Sequence, residues 1–119
     1  MSNTQQQVQQ IEINIDMAKK QIAVRKAILE LESNTNFKKV ILEGYFETEA
    51  SRLVLLKSDI EMQKPEDQEH IIRQIDAIGT FRQYLGTCIA LGSMSEKALA
   101  DDLETHDELL SEDLEEEAA

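Results

Sequence analysis

The 119-residue sequence predicts an all-α fold in which an antiparallel helical hairpin is followed by a long third helix and a disordered acidic tail. Apolar residues recur at three- and four-residue steps along most of the chain, which is the period of an amphipathic helix. One proline and four glycines are too few for a turn-rich β architecture. Glu, Gln, Lys, Ala and Leu are abundant, and all of them favour helix.

The first helix is predicted over about residues 7–33, after a frayed start at residues 1–6. Its apolar stripe has a second, shorter series beside it, and basic residues surround both. The helix should end at Ser33-Asn34-Thr35-Asn36, because such residues cap helices and favour turns. The main stripe consists of Val8, Ile11, Ile15, Ala18, Ile22 and Leu29, and the second series of Met17, Val24, Ile28 and Leu31.

The second helix is predicted over about residues 36–58. Its apolar residues occupy two faces, so it should be the most buried element of the fold. Gly44 lies inside this helix, where glycine costs about 1 kcal/mol relative to alanine. A close approach of another helix beside Tyr45 and Phe46 would explain the glycine. The two faces contain Phe37, Val40, Ile41 and Tyr45, and Leu42, Phe46, Ala50, Leu53 and Val54.

The third helix is predicted over about residues 66–110, because Pro65 followed by Glu66 and Asp67 is typical of a helix start. A strict three-four alternation then predicts a coiled-coil-like seam. Gly92-Ser93 leaves two alternatives open, a continuous helix or a break followed by the capping box at residues 93–96. The predicted seam contains Ile71, Ile75, Ile78, Arg82, Leu85, Ile89, Gly92, Glu96, Leu99, Leu103, His106 and Leu110.

The charge is strongly asymmetric along the chain. The net charge is −12, and residues 65–119 supply all of it with fifteen Asp/Glu against three Lys/Arg. From Asp101 onward there are ten acids and no Lys or Arg, which predicts a mobile acidic tail at 111–119. Binding to phosphates requires basic side chains, so the C-terminal half should repel nucleic acid. The acidic tail of the same or a neighbouring chain could instead contact the basic residues of the first two helices, which are Lys19, Lys20, Arg25, Lys26, Lys38 and Lys39.

The sequence offers no motif for catalysis, a metal or a cofactor. His70 and His106 lie at opposite ends of the third helix, and there is no Gly-rich phosphate loop or nucleophile elbow. The single cysteine, Cys88, is interpreted as a buried structural thiol. No apolar run is long enough to predict a membrane span or a signal peptide. We therefore expect no enzymatic activity, no cofactor and no membrane partner.

Three stretches of the chain resemble a family of small proteins found in many tailed bacteriophages. They are NFKKVILEGYF at 36–46, EASRLV at 49–54 and AIGTFRQYL at 77–85, and the resemblance extends over about residues 27–117, including the acidic end. Proteins of this family tend to be encoded among virion-assembly genes. The resemblance implies a head, connector or packaging accessory protein, present in the host cytoplasm during infection or associated with the virion, with no enzymatic residues.

Three functional hypotheses follow, and the third, regulation of a packaging or replication enzyme through a docked helix, is not separated from the first by the sequence. The first is a structural or assembly protein that docks on a virion component or on a second copy of itself through its third helix. Residues 71–89 of the seam should pack within the protomer, whereas Leu99, Leu103 and Leu110 should contact another chain because the first two helices look too short to cover them. The second hypothesis is an acidic DNA mimic that inhibits a host or defence nucleic-acid-binding protein. Mimicry requires carboxylates fixed on a rigid surface at phosphate-like spacing. The predicted interaction residues are Ile89, Leu99, Leu103, His106 and Leu110.

Overall fold

The structure, a computed structural model, describes residues 2–118. It contains α1 (Asn3–Glu32), α2 (Thr35–Phe37), a π-helix (Lys38–Glu49), α3 (Ala50–Lys57), a 3-10 turn (Ile60–Met62) and α4 (Pro65–Ala118). The segments from Thr35 to Lys57 follow one another without a break and are called the middle helix. No strand occurs within residues 2–118, so the prediction of an all-α chain with one long helix is confirmed.

Helix α1 begins earlier than predicted, at Asn3 rather than near residue 7. The Ser2 hydroxyl accepts a hydrogen bond from the Gln5 backbone N–H (3.1 Å), and the Gln5 side chain accepts one from the Ser2 backbone N–H (3.1 Å). This reciprocal pair is a capping box, which satisfies backbone donors that the helix itself leaves unpaired. The predicted frayed segment therefore differs from the structure over residues 3–6, and Met1 lies outside the described residues.

The middle helix begins where the sequence predicts. The Asn34 side chain accepts a hydrogen bond from the Phe37 backbone N–H (3.0 Å), which caps the first turn. Most of this helix is π-helical, which the sequence did not indicate. A Cβ at Gly44 would lie 3.0 Å from the carbonyl oxygen of Lys39, and within residues 2–118 no atom of another helix lies within 4 Å of it. The glycine therefore fits the wide π-turn, and the expectation of a closely approaching second helix was wrong.

The connection from α3 to α4 is held by side chains that bond to backbone groups. The Asp59 carboxylate accepts a hydrogen bond from the Glu61 backbone N–H (2.8 Å), and the Gln68 side chain donates to the carbonyls of Lys57 (2.9 Å) and Met62 (2.8 Å). Helix α4 then begins at Pro65, as predicted. These side chains bond to backbone groups of the connection, where few backbone N–H and C=O groups are paired within a helix.

The chain divides into two compact units. Unit 2 comprises Ala27–Thr87, and its core contains Leu53, Ile71 and Ile78. The rings of Phe46 and Phe81 meet edge to face with centroids 5.5 Å apart, and Tyr45 lies 6.4 Å from Phe81. Such aromatic contacts add to the stabilisation that area burial provides. Ile71 and Ile78 belong to this core and Ile75 packs against it, so these three seam residues pack within unit 2.

The middle helix is less buried than the sequence predicts. Leu53 is its one buried residue, whereas the side chains of Val40, Val54 and Leu55 are exposed. A neighbouring helix can cover only one stripe of a cylinder, so apolar residues on the second face stay in contact with solvent. The prediction that this helix is the most buried element was therefore wrong for the isolated protomer.

Unit 1 comprises residues 1–26 and 88–119, of which 2–26 and 88–118 are described. Helix α4 runs through Gly92 without a break, which decides between the two alternatives that the sequence left open. A Cβ at Gly92 would collide with the Arg25 side chain and lie 2.8 Å from the Gln21 carbonyl oxygen. Glycine is present here because the α1 backbone approaches α4 closely.

The acidic end of the chain is helical. Helix α4 continues to Ala118, so the structure differs from the predicted mobile tail over residues 111–118. The Thr4 hydroxyl donates a hydrogen bond to the Glu116 carboxylate (2.6 Å), and Thr4 is buried. Sequence reasoning missed this partner because the Gln-rich start was not expected to be helical. Ala119 lies outside the described residues.

Candidate interaction surface on the last helix

In unit 1, α1 and α4 run antiparallel in a register that polar contacts define. The Arg25 side chain donates to the Ser93 hydroxyl (2.9 Å) and pairs with Glu96 (3.2 Å). Towards the chain ends, the His106 ring nitrogen Nε2 donates to the Glu12 carboxylate (3.0 Å). Residue numbers increase along α4 as they decrease along α1, which is the antiparallel register. The four contacts that define it are Arg25–Ser93, Gln21–Ser95, Glu12–His106 and Thr4–Glu116.

The α1 side of this seam follows a heptad pattern. Its inward residues recur at alternating steps of four and three, as in a coiled coil. Two of the seven, Thr4 and Arg25, are polar and bond across the seam. The inward residues are Thr4, Val8, Ile11, Ile15, Ala18, Ile22 and Arg25.

The α4 side of the seam keeps the predicted period but differs in which residues face inward. Gly92, Leu99 and His106 are inward as predicted. The other inward residues are Ser95, Asp102 and Leu109, whereas the sequence predicted Glu96, Leu103 and Leu110 at these places in the seam. The helix is therefore rotated so that several of its more apolar residues lie beside the seam.

The five predicted interaction residues separate into two groups. Ile89, Leu99 and His106 are half-buried, and His106 contacts Glu12 of α1. Leu103 and Leu110 keep 41% and 38% of their surface exposed. Helix α1 reaches as far as Glu116, so the expectation that it is too short to lie beside these residues was wrong. What leaves Leu103 and Leu110 uncovered is their position around α4.

Leu114 continues the same surface and is 66% exposed. Steps of seven and four place Leu103, Leu110 and Leu114 on one side of α4, and these three residues are called the leucine row. Sequence reasoning missed Leu114 because it was assigned to the tail. Its spacing from Leu110 is the signal that would have identified it.

The electrostatic surroundings of the leucine row are acidic. Its outer flank on α4 carries Glu104, Asp107 and Glu115, all exposed. The antiparallel register places residues 101–117 beside residues 2–17, a stretch that contains no Lys or Arg. The bases of α1 begin at Lys19, and within residues 2–118 no Lys or Arg forms a salt bridge with the acidic residues of 101–117.

A further set of exposed apolar side chains lies on α1. Ile13, Met17 and Val24 are exposed, and a shallow depression is lined by Ile13, Met17, Asp16 and Lys20. The sequence placed Met17 and Val24 in the second apolar series of α1. The lining of this depression contains a base, Lys20, whereas the flank of the leucine row on α4 carries acids.

Groups with chemical reactivity are dispersed. Cys88 is a free, half-buried thiol, and His70 is exposed. Within residues 2–118 no three His, Cys, Asp or Glu side chains are arranged to hold a metal ion. In the same range no helix combines the length and the apolar character needed to cross a bilayer. No protein-family model, curated protein or solved structure matches the chain.

Proposed function

We propose that the chain is a non-enzymatic structural or assembly accessory protein of a tailed bacteriophage, which acts through helix-mediated contacts with another protein. The observation that carries this proposal is the leucine row, because three leucines remain exposed on a helix that already packs against α1. An apolar stripe on an ordered helix is a common recognition element for a partner helix or groove. The resemblance of residues 27–117 to virion-assembly proteins points to a head, connector or packaging component as the partner.

The proposal places the protein in the host cytoplasm during assembly, or on the virion that results. Its carboxylates keep the exposed leucines hydrated before assembly and oppose contact with DNA. Self-association is a second mode of the same function, with a homo-oligomer as the assembling unit. In both modes Leu103 and Leu110 are contact residues, and Ile89, Leu99 and His106 position them from the seam.

A photo-crosslinking amino acid introduced at Leu103 tests this function in infected cells. We expect crosslinks to a virion structural or packaging protein, or to a second copy of the chain. The matched control is the same amino acid at Glu112, which is exposed on the far side of α4, half a turn away. Equal crosslinking at both positions, or none at either, would refute a function based on the leucine row.

An acidic DNA mimic is the second candidate, and one observation favours it. Mimicry requires carboxylates fixed on a rigid support, and α4 holds those of residues 101–117 on an ordered helix. Such a mimic would displace duplex DNA from a basic DNA-binding protein. The variant Glu104→Gln/Glu108→Gln/Glu115→Gln should then lose the competition, whereas Leu103→Ser/Leu110→Ser should retain it. The reverse pattern would exclude mimicry and support the assembly function.

A further inference from the structure

We infer that the leucine row is the docking site for a basic amphipathic helix of another protein, which adds to unit 1 as its third helix. This inference rests on the proposed function and specifies the chemistry of the partner: apolar residues at three- and four-residue steps, flanked by Lys and Arg.

The first argument is the width of the apolar face of α4. A helix that contacts one neighbour needs apolar residues only at the two seam positions of each heptad, whereas a bundle helix carries a third, adjacent position. In α4 the seam positions include Ser95, Asp102 and His106, while the adjacent position carries Leu103 and Leu110. The pattern is typical of a helix with two neighbours, and within unit 1 only α1 is present.

The second argument is charge complementarity. Glu104, Asp107 and Glu115 border the leucine row on α4, and the α1 residues at the same level include Glu12 and Asp16. A helix that lies in this row places its own flanking side chains near carboxylates on both sides. Lys and Arg at those flanks meet opposite charges, which favours the correct partner and rejects an acidic one.

The same charges disfavour a second copy and a nucleic acid as occupants. Residues 1–26 and 88–119 hold thirteen Asp/Glu and five Lys/Arg. A second acidic α4 or a phosphate backbone would therefore be repelled from the row. From Leu103 to Leu114 the row extends over about 16 Å at 1.5 Å per residue, which corresponds to three turns of a docked helix.

Three fluorescent 18-residue peptides test the partner chemistry with the full chain. The first has Leu along one helical face and Lys elsewhere, the second has the same Leu pattern with Glu in place of Lys, and the third is a scramble of the first without an apolar face. Anisotropy titrations in 150 mM salt should give at least tenfold tighter binding for the first peptide than for either of the others. Equal binding of the scramble would reduce the effect to net charge and overturn the inference.

Variants locate the binding. Leu103→Ser/Leu110→Ser should weaken binding of the first peptide at least tenfold, and the milder Leu103→Ala/Leu110→Ala should weaken it in the same direction. Leu55→Ser, on an exposed leucine of unit 2, should leave it unchanged. Circular dichroism before titration verifies that the variants keep their helices. Unchanged affinity in folded leucine-row variants would overturn the inference.

The molar mass of the full chain in solution separates this inference from the proposed function. We expect a mass that is the same for the wild type and for Leu103→Ser/Leu110→Ser. A wild-type dimer that these substitutions dissociate would show that a second copy occupies the row, which overturns the basic partner but keeps an assembly function. Crosslinks from Leu103 to a virion protein, in the absence of peptide binding, would likewise overturn the basic partner and keep the assembly function. Failure of the crosslinks and of peptide binding together would remove both proposals.

Discussion

Unit 2 and unit 1 are both helical and both bury apolar side chains, but unit 1 also has side-chain hydrogen bonds between its two helices. Unit 2 is one continuous stretch of chain with a core of Leu53, Ile71 and Ile78 and an aromatic contact at Phe46 and Phe81. Unit 1 joins the two ends of the chain, and hydrogen bonds through Thr4, Arg25 and Ser95 cross its seam. Apolar burial provides most of the stability of a fold, whereas polar groups in a seam fix its register at a cost in stability.

The difference indicates a division of tasks. We expect unit 2 to be the more stable part, and unit 1 to present the leucine row in a defined register with less stabilisation of its own. A protein that must recognise a partner helix gains from this arrangement, because a slip of α4 against α1 would turn the leucines away. Three substitutions test the contrast.

Leu53→Ala should have the largest effect. Leu53 is 1% exposed, and removing a buried leucine side chain typically costs about 2–5 kcal/mol in the free energy of unfolding. The matched control is Leu55→Ala in the same helix, where the side chain is 73% exposed and the cost should stay below about 0.5 kcal/mol. Urea unfolding followed by circular dichroism measures both. Similar losses at the two positions would contradict the assigned core of unit 2.

Gly92→Ala should destabilise unit 1, even though alanine favours helix. The new Cβ would meet the Arg25 side chain and the Gln21 carbonyl, and such overpacking costs about 1–3 kcal/mol against a gain of about 1 kcal/mol in helix propensity. Gly86→Ala is the control, because its Cβ would have no neighbour within 4 Å. It should raise the melting temperature, whereas Gly92→Ala should lower it. A higher melting temperature for both variants would show that α1 and α4 are not in close contact at Gly92.

Ser95→Ala should have the smallest effect on unfolding and the most local one. Ser95 is buried, and its hydroxyl donates a hydrogen bond to the Gln21 side chain, which would lose its donor. The expected cost is about 0.5–1.5 kcal/mol. Hydrogen exchange should accelerate in residues 3–26 and 88–118, with little change around Leu53. Faster exchange that spreads equally through unit 2 would mean that the two units unfold together.

Sequence reasoning predicted the helices better than their contacts. Local signals such as the Asn34 cap and Pro65 act within a few residues, so they identify where the middle helix and α4 begin. The π-helix and its use of Gly44 depend on backbone geometry that no residue pattern specifies. The early start of α1 could have been predicted, because Ser2-Asn3-Thr4-Gln5 has the form of a capping box.

The interaction surface was predicted in part, for a reason that Leu103 illustrates. A hydrophobicity pattern assigns the most apolar residues to the seam, and it therefore placed Leu103 and Leu110 there. The structure gives those positions to Asp102 and Leu109, because the register set by Gly92 and by the polar contacts of Arg25, Ser95 and His106 rotates α4. Such contacts join residues 68 to 112 positions apart in the chain, beyond the range of any local pattern.

The growing separation of these contacts also has a kinetic consequence. The pair Arg25–Ser93 spans 68 positions, Glu12–His106 spans 94 and Thr4–Glu116 spans 112. Closing a long loop costs more entropy than closing a short one, and a loop whose interior has already folded is effectively shorter. We therefore expect residues 27–87 to fold first. Helices α1 and α4 then pair progressively from Arg25 towards the chain ends, so that Thr4 and Glu116 meet last during folding and separate first on heating.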